Sequence, residues 1–335
     1  MAKSEKLANS AMQLVFEPGS RDDDRVHVAC ASGHFGEFLQ GAFHDQEGAV
    51  RRGLVTVPCT ELWSRGFGRF VNKSDDIIAP TLKTKAGRAM QFYLARYAPA
   101  PRRAVQVVLE SNIPVEIGLG SSTTDIVATL RVLDRLFGRC TSDEEVAKIA
   151  VSSEGASDAT MFDDRVVLFA QRDGTILEEY GSTWPSLEII GLNLAPSERF
   201  STDANPPCDY EPAEVTEFDA LRQRLRVAIR QSDANGLAEI AMRSAEINQR
   251  YYPQQNFPHL VALAAAMDAC GFIIAHTGTV AGLLFRSCQT INDDGVKEIA
   301  DRAAAFGASY HLRFAVGFHS IASEKPPAFG DQINA

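Results

Sequence analysis

The stretch Ile117-Gly118-Leu119-Gly120-Ser121-Ser122-Thr123-Thr124-Asp125 decides the reading of this chain. It follows a strand-like segment at 105–109 and a short link carrying Pro114, and it opens a helix-like segment that runs to about Phe137. Two glycines and four hydroxyl residues at a helix start suit a chain of phosphates. Glycine lets the backbone approach an anion closely. The first N–H groups of a helix have no partner inside it, and the helix dipole favours negative charge there. The hydroxyls add donors to phosphate or a ligand for Mg²⁺. The bland alternative is a tight turn with a capping serine. No G-x-x-x-x-G-K-[S/T] pattern occurs in the chain, and Gly118-x-Gly120 lacks the third glycine of the dinucleotide fingerprint. A phosphate site here belongs to neither of those classes.

The 335 residues allow one large domain or two, and 45% hydrophobic with 23% charged residues is ordinary for a globular protein with a sizeable core. A net charge of −10 argues against a nucleic-acid partner. It does not oppose ATP, whose phosphates can be handled locally by backbone N–H groups and Mg²⁺. No apolar run approaches the roughly 18 residues that span a bilayer, and the polar start lacks the apolar core of a secretory signal. Six scattered cysteines without a C-x-x-C pair fit free thiols in a reducing cytoplasm, and no structural metal is expected. The expectation is a cytoplasmic protein with no membrane partner.

Working outward, Ile126, Leu130, Leu133 and Phe137 recur at helical spacing after the glycine-serine loop. Upstream, a strand over 26–31 is expected to break at Gly33-His34-Phe35-Gly36 and resume over 37–43. Further strands are expected over 53–59 and 60–70, then a helix over 81–97. Downstream, Thr141 with Glu144 reads as a capping box, and Asp173-Gly174 as the turn of a hairpin. After a strand at 187–194 come helices at 213–231 and 233–250. The remainder reads helix 258–270, strand 272–276, strand 281–286, helix 294–306 and strand 310–317. That order is β-α-β-β-α-β, the ferredoxin-like arrangement. The predicted fold class is therefore α+β in two domains. A mixed α/β nucleotide domain over 26–182 is followed by a ferredoxin-like domain over 187–320, with a disordered lead-in at 1–25 and a loose tail at 324–335.

Three glycine-bearing segments stand in a telling order: Ala31-Ser32-Gly33-His34-Phe35-Gly36-Glu37-Phe38-Leu39-Gln40-Gly41, the loop at 117–125, and Ala275-His276-Thr277-Gly278-Thr279-Val280-Ala281-Gly282. The triplet resembles the three motifs of the GHMP small-molecule kinases, and the resemblance covers the chain from Val26 to about Gly317. Within that superfamily it looks most like the L-threonine kinases of cobalamin side-chain synthesis. Those combine a Gly-Glu-x-x-Gln-Gly first motif, a Glu-x-x-x-Asp segment matched here by Glu154-Gly155-Ala156-Ser157-Asp158-Ala159-Thr160-Met161-Phe162, and a His-x-Gly-Thr third motif. The chain departs from that pattern at His34-Phe35 and within 154–158, both where substrate is expected.

The resemblance implies roles. Gly118, Leu119, Gly120, Ser121, Ser122 and Thr123 would bind the ATP phosphates. Ser122 and Glu154 would hold Mg²⁺, a hard cation that takes carboxylate and hydroxyl oxygen. Asp158 would accept or orient the proton of the acceptor hydroxyl. It lies four residues after Glu154, so on a helical turn both carboxylates would point the same way. Glu37 and Gln40 would line the acceptor pocket, with Glu37 pairing an α-ammonium group, and His34, Thr277, Gly278 and Thr279 would complete it. Each has a bland counterpart: a solvated acid at a helix end, an Asx-turn, polar strand residues or a plain β-turn. The expected reaction is ATP-dependent phosphorylation of a small amino acid, L-threonine first. The rivals are another small alcohol such as L-serine, homoserine or an amino alcohol, ATP-dependent decarboxylation, and a non-catalytic ligand sensor. A homodimer is left open.

Overall fold

The computed structural model describes residues 25–71, 84–99, 104–196, 209–275, 279–289 and 291–317. The lead-in expected over 1–25 (Arg25 apart), the tail at 324–335, and His276, Thr277 and Gly278 lie outside the described residues.

The first half runs β1 (His27–His44), β2 (Val50–Val71), α1 (Thr84–Tyr97), β3 (Ala104–Ser111), α2 (Ser121–Phe137), α3 (Asp143–Glu154), β4 (Val166–Ala170) and β5 (Thr175–Gly181). The second runs β6 (Leu187–Asn193), α4 (Pro212–Gln231), α5 (Ala234–Asn248), α6 (Phe257–Ala266), β7 (Gly271–Ile274), β8 (Val280–Arg286), α7 (Asp293–Ala304) and β9 (Ser309–Val316). All nine strands join one sheet in the order β5-β4-β2-β1-β7-β8-β6-β9, with β3 paired to β2 off that path. The second-half order, β7-β8-β6-β9, is antiparallel throughout and is the ferredoxin-like arrangement expected from sequence.

Two expected breaks are absent. The segment from Gly33 to Gly36 does not interrupt β1; it is taken up as register shifts against β2, between Ser32 and Gly33, His34 and Glu37, and Glu37 and Leu39. Such bulges absorb an extra residue and re-aim side chains without ending a strand. Likewise β2 is one strand of 22 residues where two were expected. It is long because it serves different neighbours at its two ends: Leu54 faces Phe169 of β4, while Ser64 to Val71 pair with β3. A third correction concerns α3. Its N-cap is Ser142, which accepts from the Glu145 N–H, whereas Thr141 is committed to the Asp134 carboxylate.

Helix α2 lies flat on this sheet. Ile126, Leu130 and Leu133 are fully buried, as the spacing predicted, together with Met90 and Tyr93 of α1 and Ala147 of α3. Gly66 on β2 allows the close contact, because a Cβ there would stand 3.0 Å from the Ala128 carbonyl oxygen. A second core forms where α4 and α5 cover β1, around Phe38, Phe43, Phe218 and Leu237, and a third lies between α6, α7 and the last strands. Burial of these side chains, at about 25 cal/mol per Å² of apolar surface, is what holds the layers together. No helix among the described residues is long and apolar enough to cross a membrane.

Candidate active site

The loop before α2 is built as the sequence suggested, with one decisive detail. Gly120 is the N-cap residue, in the left-handed conformation at φ 66°, and no side chain caps the helix. The capped-turn alternative required a capping serine; instead Ser121 and Ser122 are the first helical residues. The N–H groups of the first turn thus have no side-chain cap, at the positive end of a 17-residue helix. Gly118 is also left-handed, at φ 79°. The carbonyl of Ile117 accepts from the Thr279 hydroxyl at 2.5 Å, which ties the third motif to the second. Thr279 is buried, and its hydroxyl is committed to that tether.

Two carboxylates face this loop. Glu154 is the last residue of α3, and Gly155 ends the helix at φ 82°. Asp158 therefore sits in the following loop, so the helical-turn argument for pairing the two acids lapses. A different contact brings them together. The Thr123 hydroxyl donates to Glu154 Oε1 at 2.6 Å and lies 3.4 Å from Asp158 Oδ2. Burial pushes the Glu154 carboxyl up to about 7; the Thr123 hydrogen bond opposes this, the Asp158 charge adds to it, and the Ser122 hydroxyl and Lys85 oppose it. A partly buried acid beside a second acid, with a serine hydroxyl on it, is a donor set that fits a hard divalent cation. Ser122 and Glu154 would hold such an ion.

Behind Asp158 lies His34. Its Nε2 is 3.1 Å from Asp158 Oδ2 and its Nδ1 is 3.9 Å from Glu37 Oε1, and the imidazole is fully buried. Gly120 closes over this pair: a Cβ at Gly120 would run into the His34 ring and stand 2.7 Å from Asp158 Oδ2. The phosphate loop, the acid and the imidazole are thus stacked in direct contact. Glu37 is 3% exposed and lines a cleft shared with Gln40 on β1, Ser244, Asn248 and Tyr252 from α5 and beyond, and Ala275 after β7. Helix α5 clamps the strand here, with Ser244 and Asn248 bonded to the Gln40 backbone.

The structure therefore brings Ser122, Thr123, Glu154, Asp158, His34 and Glu37 into one cluster, with Gln40 at its outer end. Three contributors were passed over in the sequence. Lys85 opens α1 and reaches the field of Glu154; a lone lysine at a helix start carries no motif. Ser244 and Asn248 are four residues apart on α5, a spacing that signals one helix face but not which strand it meets.

The arrangement offers an uncapped helix start with two left-handed glycines, a donor set that fits a hard cation, and a buried acid near a cleft. These features fit a small-molecule kinase, and the sequence comparisons point the same way. Residues 84–166 match the family model described as the GHMP kinases N terminal domain. The chain is 26% identical over 208 residues to an L-threonine kinase of Citrobacter freundii, covering 61% of this chain and 70% of that one. It is 36% identical over 110 residues to a 4-diphosphocytidyl-2-C-methyl-D-erythritol kinase of Desulfotalea psychrophila, covering 33% of this chain and 36% of that one. Its fold resembles that of a homoserine kinase from Cytophaga hutchinsonii at a TM-score of 0.60 and 12% identity, over 90% of this chain and 96% of that one. Residues 84–166 thus resemble a GHMP kinase N-terminal domain in sequence, and the chain shares its fold with the homoserine kinase.

Proposed function

We propose that this kinase transfers the γ-phosphoryl group of ATP to the hydroxyl of a small amino acid, L-threonine before others. The product would be O-phospho-L-threonine, as used in cobalamin side-chain synthesis. The observation that carries the reading is the stack of Gly120, Asp158 and His34, with Glu37 opening from it into the cleft. The uncapped first turn of α2 and the loop at 118–120 hold the phosphates. Ser122 and Glu154 would hold Mg²⁺, which would supply charge neutralisation for the phosphates. Asp158, 8% exposed, orients the acceptor hydroxyl and takes its proton as the new O–P bond forms and the bond to the ADP oxygen breaks. His34 keeps the Asp158 carboxylate aimed at the loop, and Glu37 pairs with the acceptor's ammonium group.

The stronger local identity to a diphosphocytidyl-methylerythritol kinase favours a second reading, a phosphorylated or nucleotide-bearing acceptor. The cleft opposes it: among the described residues its lining holds Glu37 and no lysine or arginine, so a diphosphate would meet a carboxylate without a counter-charge from them.

The test is ADP release from Mg·ATP with L-threonine, L-serine, L-homoserine, 1-amino-2-propanol and mevalonate, with Asp158→Asn alongside. Threonine-dependent release, with O-phosphothreonine identified by mass and turnover lowered about 10²- to 10⁴-fold in the variant, is expected. Turnover with mevalonate alone, or ATP binding without turnover on any acceptor, would remove the amino-acid reading.

A further inference from the structure

Gln40 is fixed at its backbone and open at its side chain. Its N–H donates to Ser244 Oγ at 2.9 Å, and its carbonyl accepts from Ser244 Oγ at 3.1 Å and from Asn248 Nδ2 at 2.8 Å. The residue is 6% exposed, and its Nε2 has no hydrogen-bond partner among the described residues. A buried amide donor without an acceptor is costly in the free protein, and a ligand that supplies an acceptor relieves that cost.

Its position is not what a regular strand would give. Residues three apart on a strand point to opposite faces. The register shift between Glu37 and Leu39 removes one step, and Glu37 and Gln40 line the same cleft. The other polar groups there are engaged. Asn248 Nδ2 also donates to the Ser244 carbonyl, Asn248 Oδ1 accepts from the Tyr210 hydroxyl at 2.6 Å, and the Tyr252 hydroxyl accepts from Arg52 at 3.1 Å. What the cleft offers is a carboxylate and, beside it on the same strand, an amide donor awaiting an acceptor.

That pair is complementary to a zwitterion. We propose that the Gln40 side-chain amide binds the carboxylate of an α-amino acid whose ammonium group sits at Glu37, and so selects amino acids over amino alcohols of the same length. The inference rests on the amino-acid reading above for the nature of the acceptor, but not on catalysis. Phosphoryl transfer itself would not require Gln40.

Titration calorimetry tests it with L-threonine and with 1-amino-2-propanol, which lacks only the carboxylate. Wild type is expected to bind threonine about 10- to 100-fold more tightly, the range of one hydrogen bond to a charged group. Gln40→Leu should abolish that preference by weakening threonine alone, and Gln40→Glu should reverse it. The clamp from α5 uses only the Gln40 backbone, so Gln40→Leu should keep the wild-type Tm and affinity for ATP, whereas Gln40→Glu, which buries a second carboxylate in the cleft that holds Glu37, should lower the Tm and keep the affinity for ATP. Equal binding of the two compounds by wild type, no binding of either, or threonine affinity unchanged in Gln40→Leu each overturns the proposal. If threonine binds in a Gln40-dependent way and no ADP is released, the kinase reading fails and this inference stands. If threonine is phosphorylated equally well by wild type and Gln40→Leu, the reverse holds.

Discussion

Glu154 shows how a single residue trades stability for a site. Its carboxyl is shifted from 4.5 to about 7, chiefly by burial. Because the folded value lies above the unfolded one, the protonated acid stabilises the fold fully below about pH 4.5, and this contribution is lost as pH rises through 7. Glu154→Gln mimics the protonated form. It should therefore raise the stability of the ligand-free protein by about 1–3 kcal/mol at pH 8 and leave it unchanged near pH 4.5. Denaturant unfolding at the two pH values checks this; a variant less stable at pH 8 would contradict the assigned burial. At pH 8 millimolar Mg²⁺ with ATP should raise the Tm of wild type more than that of the variant. At this scale much of the site could be read from the chain. Glycines, serines and acids at motif spacing carry their chemistry in their identity, so Gly120, Ser122, Glu154 and Asp158 stood out. The role of His34 did not, because a lone histidine takes its meaning from Asp158 and Gly120, which are remote in sequence.

Among the elements, β1 and α5 form the joint that shapes the acceptor cleft. Asn248 bonds at once to the carbonyls of Gln40 and Ser244 and to the Tyr210 hydroxyl. Asn248→Ala should destabilise the protein by about 1–3 kcal/mol, since the buried Gln40 carbonyl loses one of its two side-chain donors and the Tyr210 hydroxyl loses the Asn248 oxygen. It should also raise the KM for the acceptor while leaving that for ATP near wild type, because the phosphate loop lies on α2. Urea unfolding with steady-state kinetics separates the two effects; a rise confined to the ATP KM would place the clamp elsewhere. Most helices and strands were legible, from periodicity and turn residues. The errors arise where tertiary partners override a local signal. Sequence reads glycine as a break, whereas in β1 the neighbouring strand supplies enough pairing to carry the chain through Gly33 and Gly36 as bulges. In the same way Thr141 satisfied the capping pattern, but the Asp134 carboxylate offered it a stronger partner.

Across the whole molecule, the two halves of the sheet meet, among the described residues, at one β1–β7 pair, Glu37 with Ile274. The proposed acceptor site thus lies on the seam, and a ligand there would touch both halves. Hydrogen exchange should show the peptides around 37–41 and 271–275 slowing together when acceptor binds, in addition to any protection at 118–125 from ATP. Protection by acceptor confined to one half would argue against a site on the seam. The ferredoxin-like strand order was readable from the sequence of elements, but the fusion of both halves into one sheet was not, since no local pattern specifies the β1 neighbour. The same seam bears on how the chain is made. During synthesis β1 emerges early, whereas β7 is added only after α4, α5 and α6. Until then the Glu37 edge of β1 has no strand beside it, and an open strand edge is a template for pairing with other chains. Helices α4 and α5, which cover β1 before β7 arrives, are placed to shield the nascent protein from aggregation, so a chain truncated before α4 should be far less soluble than its surface charge suggests.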